Sequence, residues 1–256
     1  MFPILLGFWT AEQIAIFLGL TQSSNNMKYS NYIPDARALQ IIKQNESKYG
    51  ESAPTPKAYI DNAWTIGFGT CWLFDSNGKP VNINGSNGIK PNYTLSYLKQ
   101  VYKSNQSDYD FAQTLILNHW KQSRYKIVAS VLDSLKVPFN VNLAQSLCDA
   151  SYNHGSIFKG KSWDAQFNLF TVSLTQTNDL RIWAANYLSY RCYYAANAMS
   201  NKDWQTFKFG LIRRYYQCAL NITGNMVSID QVRKNTPTLS VLYSKIFQDF
   251  GLKLTY

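Results

Sequence analysis

The pattern of apolar and polar positions changes period several times along the chain, and each change predicts an element. From Asp35, placed as a cap, Leu39, Ile41 and Ile42 recur at helical spacing, and the run closes on Lys43-Gln44-Asn45-Glu46. After a polar interval, Ala58-Tyr59-Ile60-Asp61-Asn62-Ala63-Trp64-Thr65-Ile66-Gly67-Phe68-Gly69-Thr70 sets aromatic and β-branched residues in alternation. That predicts a short β-hairpin with Asp61-Asn62 as its turn, and Gly67 and Gly69 where little side chain fits. Asn77-Gly78 and Lys79-Pro80 mark a turn, and residues 82–91 read as polar loop.

From Asp108 the period is helical through Ala112, Leu115, Ile116, His119 and Trp120, then Ile127, Val128, Val131 and Leu132, with Val137-Pro138 ending the unit. Asn140 is placed to cap a helix whose face is Val141, Ala144, Leu147, Cys148 and Tyr152, stopping at Asn153-His154-Gly155. Two further helices are predicted over residues 163–176 and Leu180–Ala198. Residues 200–209 then separate these from a helix opening at Gly210 and ending near Gly224. Asp230, Gln231, Arg233 and Pro237 suggest a loop before a terminal helix over Leu239–Phe250. The expected class is α+β, a small hairpin lobe beside a mainly helical one.

The first 22 residues are apolar enough to suggest a signal or anchor. Glu12 and Gln13 interrupt them, and no Lys or Arg precedes Lys28. The reading adopted is a helix capped by Thr10 with Ile14, Phe17 and Leu18 facing protein, so no membrane association is expected. Residues 22–34 read as a connector.

Composition changes this picture in three ways. Apolar residues make up 46% of the chain, enough for a real core, and 18 Tyr with 7 Trp are many; a carbohydrate-binding cleft is one use for such flat rings, although any single ring is more readily a packing residue. A net charge of +10 favours an anionic partner, but the cations are scattered, which argues against a phosphate-tracking groove and a nucleic-acid partner. The 4 cysteines show no CxxC pair, and with only 2 histidines a zinc hydrolase site is not expected; no metal or cofactor is implied.

A carboxyl at a helix end, facing a hairpin that carries a second carboxyl and a hydroxyl, is a glycosidase arrangement, because one acid can stay protonated beside apolar rings while the other stays ionised near water. Glu46, Asp61 and Thr65 are those groups. The stretch resembles the active-site region of phage-type lysozymes (glycoside hydrolase family 24), in which a Glu closes the first helix and Ala-Tyr-x-Asp…Trp-Thr-Ile-Gly-Tyr-Gly follows. The helix ending at Asn153-His154-Gly155 and the segment Gly210-Leu211-Ile212-Arg213-Arg214 resemble two later motifs of that family in the same order. This chain departs from it in extra residues around 50–57, a shorter turn between Asp61 and Thr65, Thr70 where many members carry His, and His154 where the family often has Val or Leu.

The resemblance implies a lysozyme-like fold with the cleft between its lobes, over residues 35–225, with extensions at 1–34 and 226–256. It implies Glu46 as general acid, Asp61 and Thr65 as the water-holding pair, and Arg213 reaching back to Glu46 with Arg214 its neighbour. Tyr59, Trp64, Phe68 and Asn153 would bind or support substrate. The implied activity is hydrolysis of the β-1,4 bond between N-acetylmuramic acid and N-acetylglucosamine in bacterial peptidoglycan. If Asp61 is only a turn residue, Glu46 alone would make the chain a lytic transglycosylase. A different class is a virion tail protein, with other tail proteins as partners, whose lysozyme domain is active or lapsed. The expected location is therefore the virion tail, or the host cytoplasm with release to the wall at lysis.

Overall fold

The computed structural model of the chain describes residues 27–61, 63–123, 125–153 and 165–254. The segment 1–22, Asn62 and the His154-Gly155 helix stop lie outside the described residues.

Helix α1 (Ala36–Glu46) forms where the sequence places it, because the Asp35 carboxylate accepts from the Ala38 amide at 2.9 Å and caps an otherwise free donor. Its buried face carries Ala38, Leu39, Ile41 and Ile42; each large aliphatic removed from water contributes about 1.5–3 kcal/mol. Ser47 turns to extended backbone and ends the helix on Glu46. Strands β1 (Thr55–Asp61) and β2 (Ala63–Gly67) then pair antiparallel, with Tyr59 opposite Thr65, Ile60 opposite Trp64 and Asp61 opposite Ala63. They form the single two-stranded sheet among the described residues. Isolated bridges such as Trp72 with Gly88 organise the loops that follow.

The rest is helical: α2 (Leu95–Val101), α3 (Asp108–Trp120), α4 (Tyr125–Ser134), α5 (Val141–Asn153), α6 (Ala165–Gln176), α7 (Leu180–Ala198), α8 (Asn201–Ile222), α9 (Ile229–Asn235) and α10 (Leu239–Phe250). The molecule is thus α+β, mostly helical with one small hairpin. Helix α5 is its axis: every residue from Leu143 to Tyr152 is buried, with α1, α3, α4 and α8 packed around it. No helix among the described residues is long and apolar enough to cross a membrane.

Several boundaries differ from expectation. The helical run after Asp108 breaks at residues 121–123 into α3 and α4. Helix α8 begins at Asn201, where the Ser200 hydroxyl accepts from the Asp203 amide, and passes unbroken through Gly210. Tertiary packing of Trp204 and Ile212 on one face outweighs the weak propensity of that glycine. Residues expected as loop form α9, secured by a capping box in which Ser228 and Gln231 satisfy each other's backbone amides. Tyr29, assigned to a connector, is fully buried; its amide donates to Asp133 and its hydroxyl to the Pro138 carbonyl.

The C-terminal segment is tied to the back of α1. Gln44 Oε1 accepts from Gln217 Nε2 at 2.7 Å and from the Ile229 amide at 3.2 Å, while Asn45 Nδ2 donates to Gln217 Oε1. Three of the free cysteines, Cys148, Cys192 and Cys218, are buried in the helical core.

Candidate active site

Glu46 is held from two sides. Arg214 Nη1 lies 2.7 Å from Glu46 Oε1, and Asn153 Nδ2 donates to the same oxygen at 3.4 Å. Arg214 does not serve Glu46 alone. Its Nε and Nη2 donate to the two oxygens of Asp149 at 2.9 and 2.7 Å, a bidentate pair on a carboxylate with zero exposure. Burial opposes a charge on Arg214, yet Asp149 and Glu46 together hold the guanidinium well above arginine's usual range. Glu46 therefore shares the Arg214 cation with a second, fully buried anion, Asp149.

A second buried arginine extends the support. Arg191 donates to Asn153 Oδ1 at 3.1 Å and to the Tyr187 hydroxyl at 2.9 Å, with its guanidinium 4.2 Å from the Tyr215 ring centre. The amide of Asn153 is thereby oriented, oxygen toward Arg191 and nitrogen toward Glu46.

The hairpin supplies the opposite wall. Alternation along paired strands puts Tyr59, Asp61, Ala63 and Thr65 on one face and Ile60 and Trp64 on the other. Thr65 is buried and donates to the Ala63 carbonyl at 2.9 Å, so its oxygen is left to accept, as it does from Cys71 Sγ at 3.9 Å. Asp61 is exposed, and no described residue bonds to its carboxylate. The Tyr59 hydroxyl is pushed up to about 12, chiefly by burial and then by the charges of Asp61 and Glu46. The Cys71 thiol is also raised, by burial first; its contact with Thr65 opposes this, and Glu46 and Asp61 add to it. Both carboxylates therefore act on the same hydroxyl and the same thiol, which gathers α1 and the hairpin into one site.

A cavity of about 610 Å³ is lined by Asn45, Asp61, Asn153, Arg213 and Arg214, together with further residues of α8 and α9. One carboxyl, fixed by Arg214 and Asn153, and a second, free and exposed on the facing wall, can divide a proton donation from the activation of water.

Three expectations need correction. The arginine beside Glu46 is Arg214, not Arg213. Helical rotation turns the two about 100° apart, and Arg213, at the edge of the cleft, donates to the Thr236 carbonyl and stacks on Phe209 at 3.6 Å instead of reaching Glu46. Phe68 is fully buried edge-on against Tyr109 and cannot touch a ligand. Trp64 lies on the hairpin face opposite Asp61 and Thr65, so it does not wall the site. Glu46, Asp61, Thr65, Tyr59 and Asn153 are brought together; His154 is outside the described residues.

Sequence reasoning missed Asp149, Arg191 and Cys71. The signal for the first two was present: each is a charge set inside an otherwise apolar or aromatic helical stripe, where only a buried partner makes it tolerable. Among the described residues no group of three or more His, Cys, Asp or Glu could hold a metal ion. No protein-family model, curated protein or solved structure matches the chain.

Proposed function

We propose that the chain is a peptidoglycan hydrolase of lysozyme type that cleaves the β-1,4 bond between N-acetylmuramic acid and N-acetylglucosamine. One observation carries this reading: a helix-terminal glutamate is ion-paired to a buried, charge-compensated arginine, and that arginine lines a cleft together with Asp61 and Asn153. Glu46 protonates the leaving glycosidic oxygen, and Arg214 and Asn153 stabilise the carboxylate that results. Asp61, with the Thr65 oxygen accepting, orients a water on the other face of the sugar and takes its proton as the water oxygen bonds to the anomeric carbon. The net positive charge favours the anionic wall and its neighbours. The chain is then a phage lysin, acting from the virion tail or released to the wall at lysis.

A second reading rests on the freedom of Asp61. Nothing among the described residues fixes its carboxylate, whereas Glu46 is held twice. If Glu46 acts alone as acid and then base, the product is an anhydro sugar and the enzyme a lytic transglycosylase.

The test is mass analysis of fragments released from purified peptidoglycan by the wild-type chain and by Glu46→Gln. Hydrated reducing ends, absent with the variant, support the hydrolase. Anhydro ends support the second reading, and fragments released equally by both proteins overturn the assignment of Glu46.

A further inference from the structure

The cleft continues past Arg214 along α8. Asp203, Phe207, Gly210 and Arg214 line it, and their spacing of four, three and four residues puts them in one stripe of the helix. At ~1.5 Å per residue, Phe207 stands about 10 Å along the axis from Arg214, the reach of a short run of sugar rings.

Two features of this stripe have no structural explanation within the fold. Phe207 is 49% exposed, although Trp204, one turn before it, and Ile212, further along α8, are buried. Gly210 sits in mid-helix, where glycine is disfavoured relative to alanine. Its φ is not positive, and among the described residues no atom lies within 4 Å of a Cβ built on it, so neither backbone conformation nor packing calls for glycine there. What glycine does provide is bare, exposed helix backbone lining the cleft, one turn from an exposed aromatic ring. At the outer end Asp203 takes a single described hydrogen bond from the Ser200 hydroxyl, which leaves its carboxylate acceptor capacity.

We propose that the Phe207–Gly210 face of α8 is a carbohydrate-binding platform that takes a pyranose ring of the glycan strand beyond the bond being cut. The inference rests on the peptidoglycan reading. A flat exposed ring suits the apolar face of a pyranose, the missing side chain at Gly210 lets that sugar approach the helix, and Asp203 accepts from its hydroxyls. The platform lengthens the site on one side of Glu46 and anchors the polymer while the bond is placed.

The experiment measures binding to immobilised glycan strands freed of their stem peptides, so that sugar and not peptide is read. Glu46→Gln is the non-cleaving parent, compared with E46Q/F207A and E46Q/G210L; wild-type cleavage of the same strands is assayed in parallel. Phe207→Ala should weaken binding about 3- to 10-fold. Gly210→Leu should weaken it at least as much while raising the melting temperature, since leucine favours the helix. If the wild type cleaves but both substitutions leave binding unchanged, the platform is wrong and the hydrolase reading stands. If the wild type releases no glycan fragments, the hydrolase reading falls and the platform with it.

Discussion

Gly69 lies against Glu46 so closely that a Cβ on Gly69 would stand 2.7 Å from the Glu46 Cβ, and its φ of +88° is one that side chains rarely adopt. The turn after β2 and the end of α1 are thereby fitted to each other, which sets the distance from the acid to the hairpin wall. Gly69→Ala should cost roughly 1–3 kcal/mol through strain and the displaced neighbour. It should also lower the rate of peptidoglycan cleavage more than a comparable loss of stability elsewhere. Thermal melting and a turbidity assay on the same preparation separate the two effects, and an unchanged rate would show that Glu46 tolerates the shift.

Asp61→Asn sorts the two mechanisms. If Asp61 activates water, the rate should fall by ~10²–10⁴-fold, the span attributed to general acid–base groups, with the melting temperature unchanged because the side chain is exposed. Near-normal rates with anhydro products would instead make Glu46 the only catalytic carboxyl.

Arg214→Ala and Arg213→Ala should differ sharply although the residues adjoin. Removing Arg214 leaves Asp149 buried and unpaired, which should destabilise by about 3–5 kcal/mol and abolish activity. Removing Arg213 loses its contacts with Thr236 and Phe209 at the cleft edge and should cost about 1 kcal/mol with much of the activity kept. Chemical denaturation of the two proteins decides, and similar losses would mean that the guanidinium roles are misassigned.

His119 predicts an acid-labile fold. Burial between Phe74 and Tyr152 lowers it to about 4, and its buried Nδ1 has no hydrogen-bond partner among the described residues. As pH falls through the ordinary histidine range the unfolded chain takes the proton first, so this contribution is full above about 6.5 and is lost on the way down to about 4. The loss amounts to roughly 3 kcal/mol. His119→Phe should flatten the stability–pH curve in that window, measured by denaturant melts from pH 7 to 4; an unaltered slope would assign the acid sensitivity to other groups.

The sequence by itself determined the elements whose signals are local. Asp35 and Asn140 cap helices where they were expected to, and Leu180–Ala198 and Leu239–Phe250 are helices with those bounds. The hairpin carrying Asp61 and Thr65 followed from alternation, although Asp61, expected in the turn, is the last residue of β1 and pairs with Ala63. These signals are legible because a cap or an alternating strand acts within a few residues. Only the tertiary structure decided which residues meet across the chain. Arg213 and Arg214 are equivalent as letters, and it is the rotation of α8 against α5, fixed by the buried pair with Asp149, that turns Arg214 to Glu46. Gly210 reads as a helix start until Trp204 and Ile212 are seen packed on one face of a longer helix. Burial of Asp149 and Arg191 is likewise invisible locally, since a charge inside a helix tolerates zero exposure only through partners on other elements.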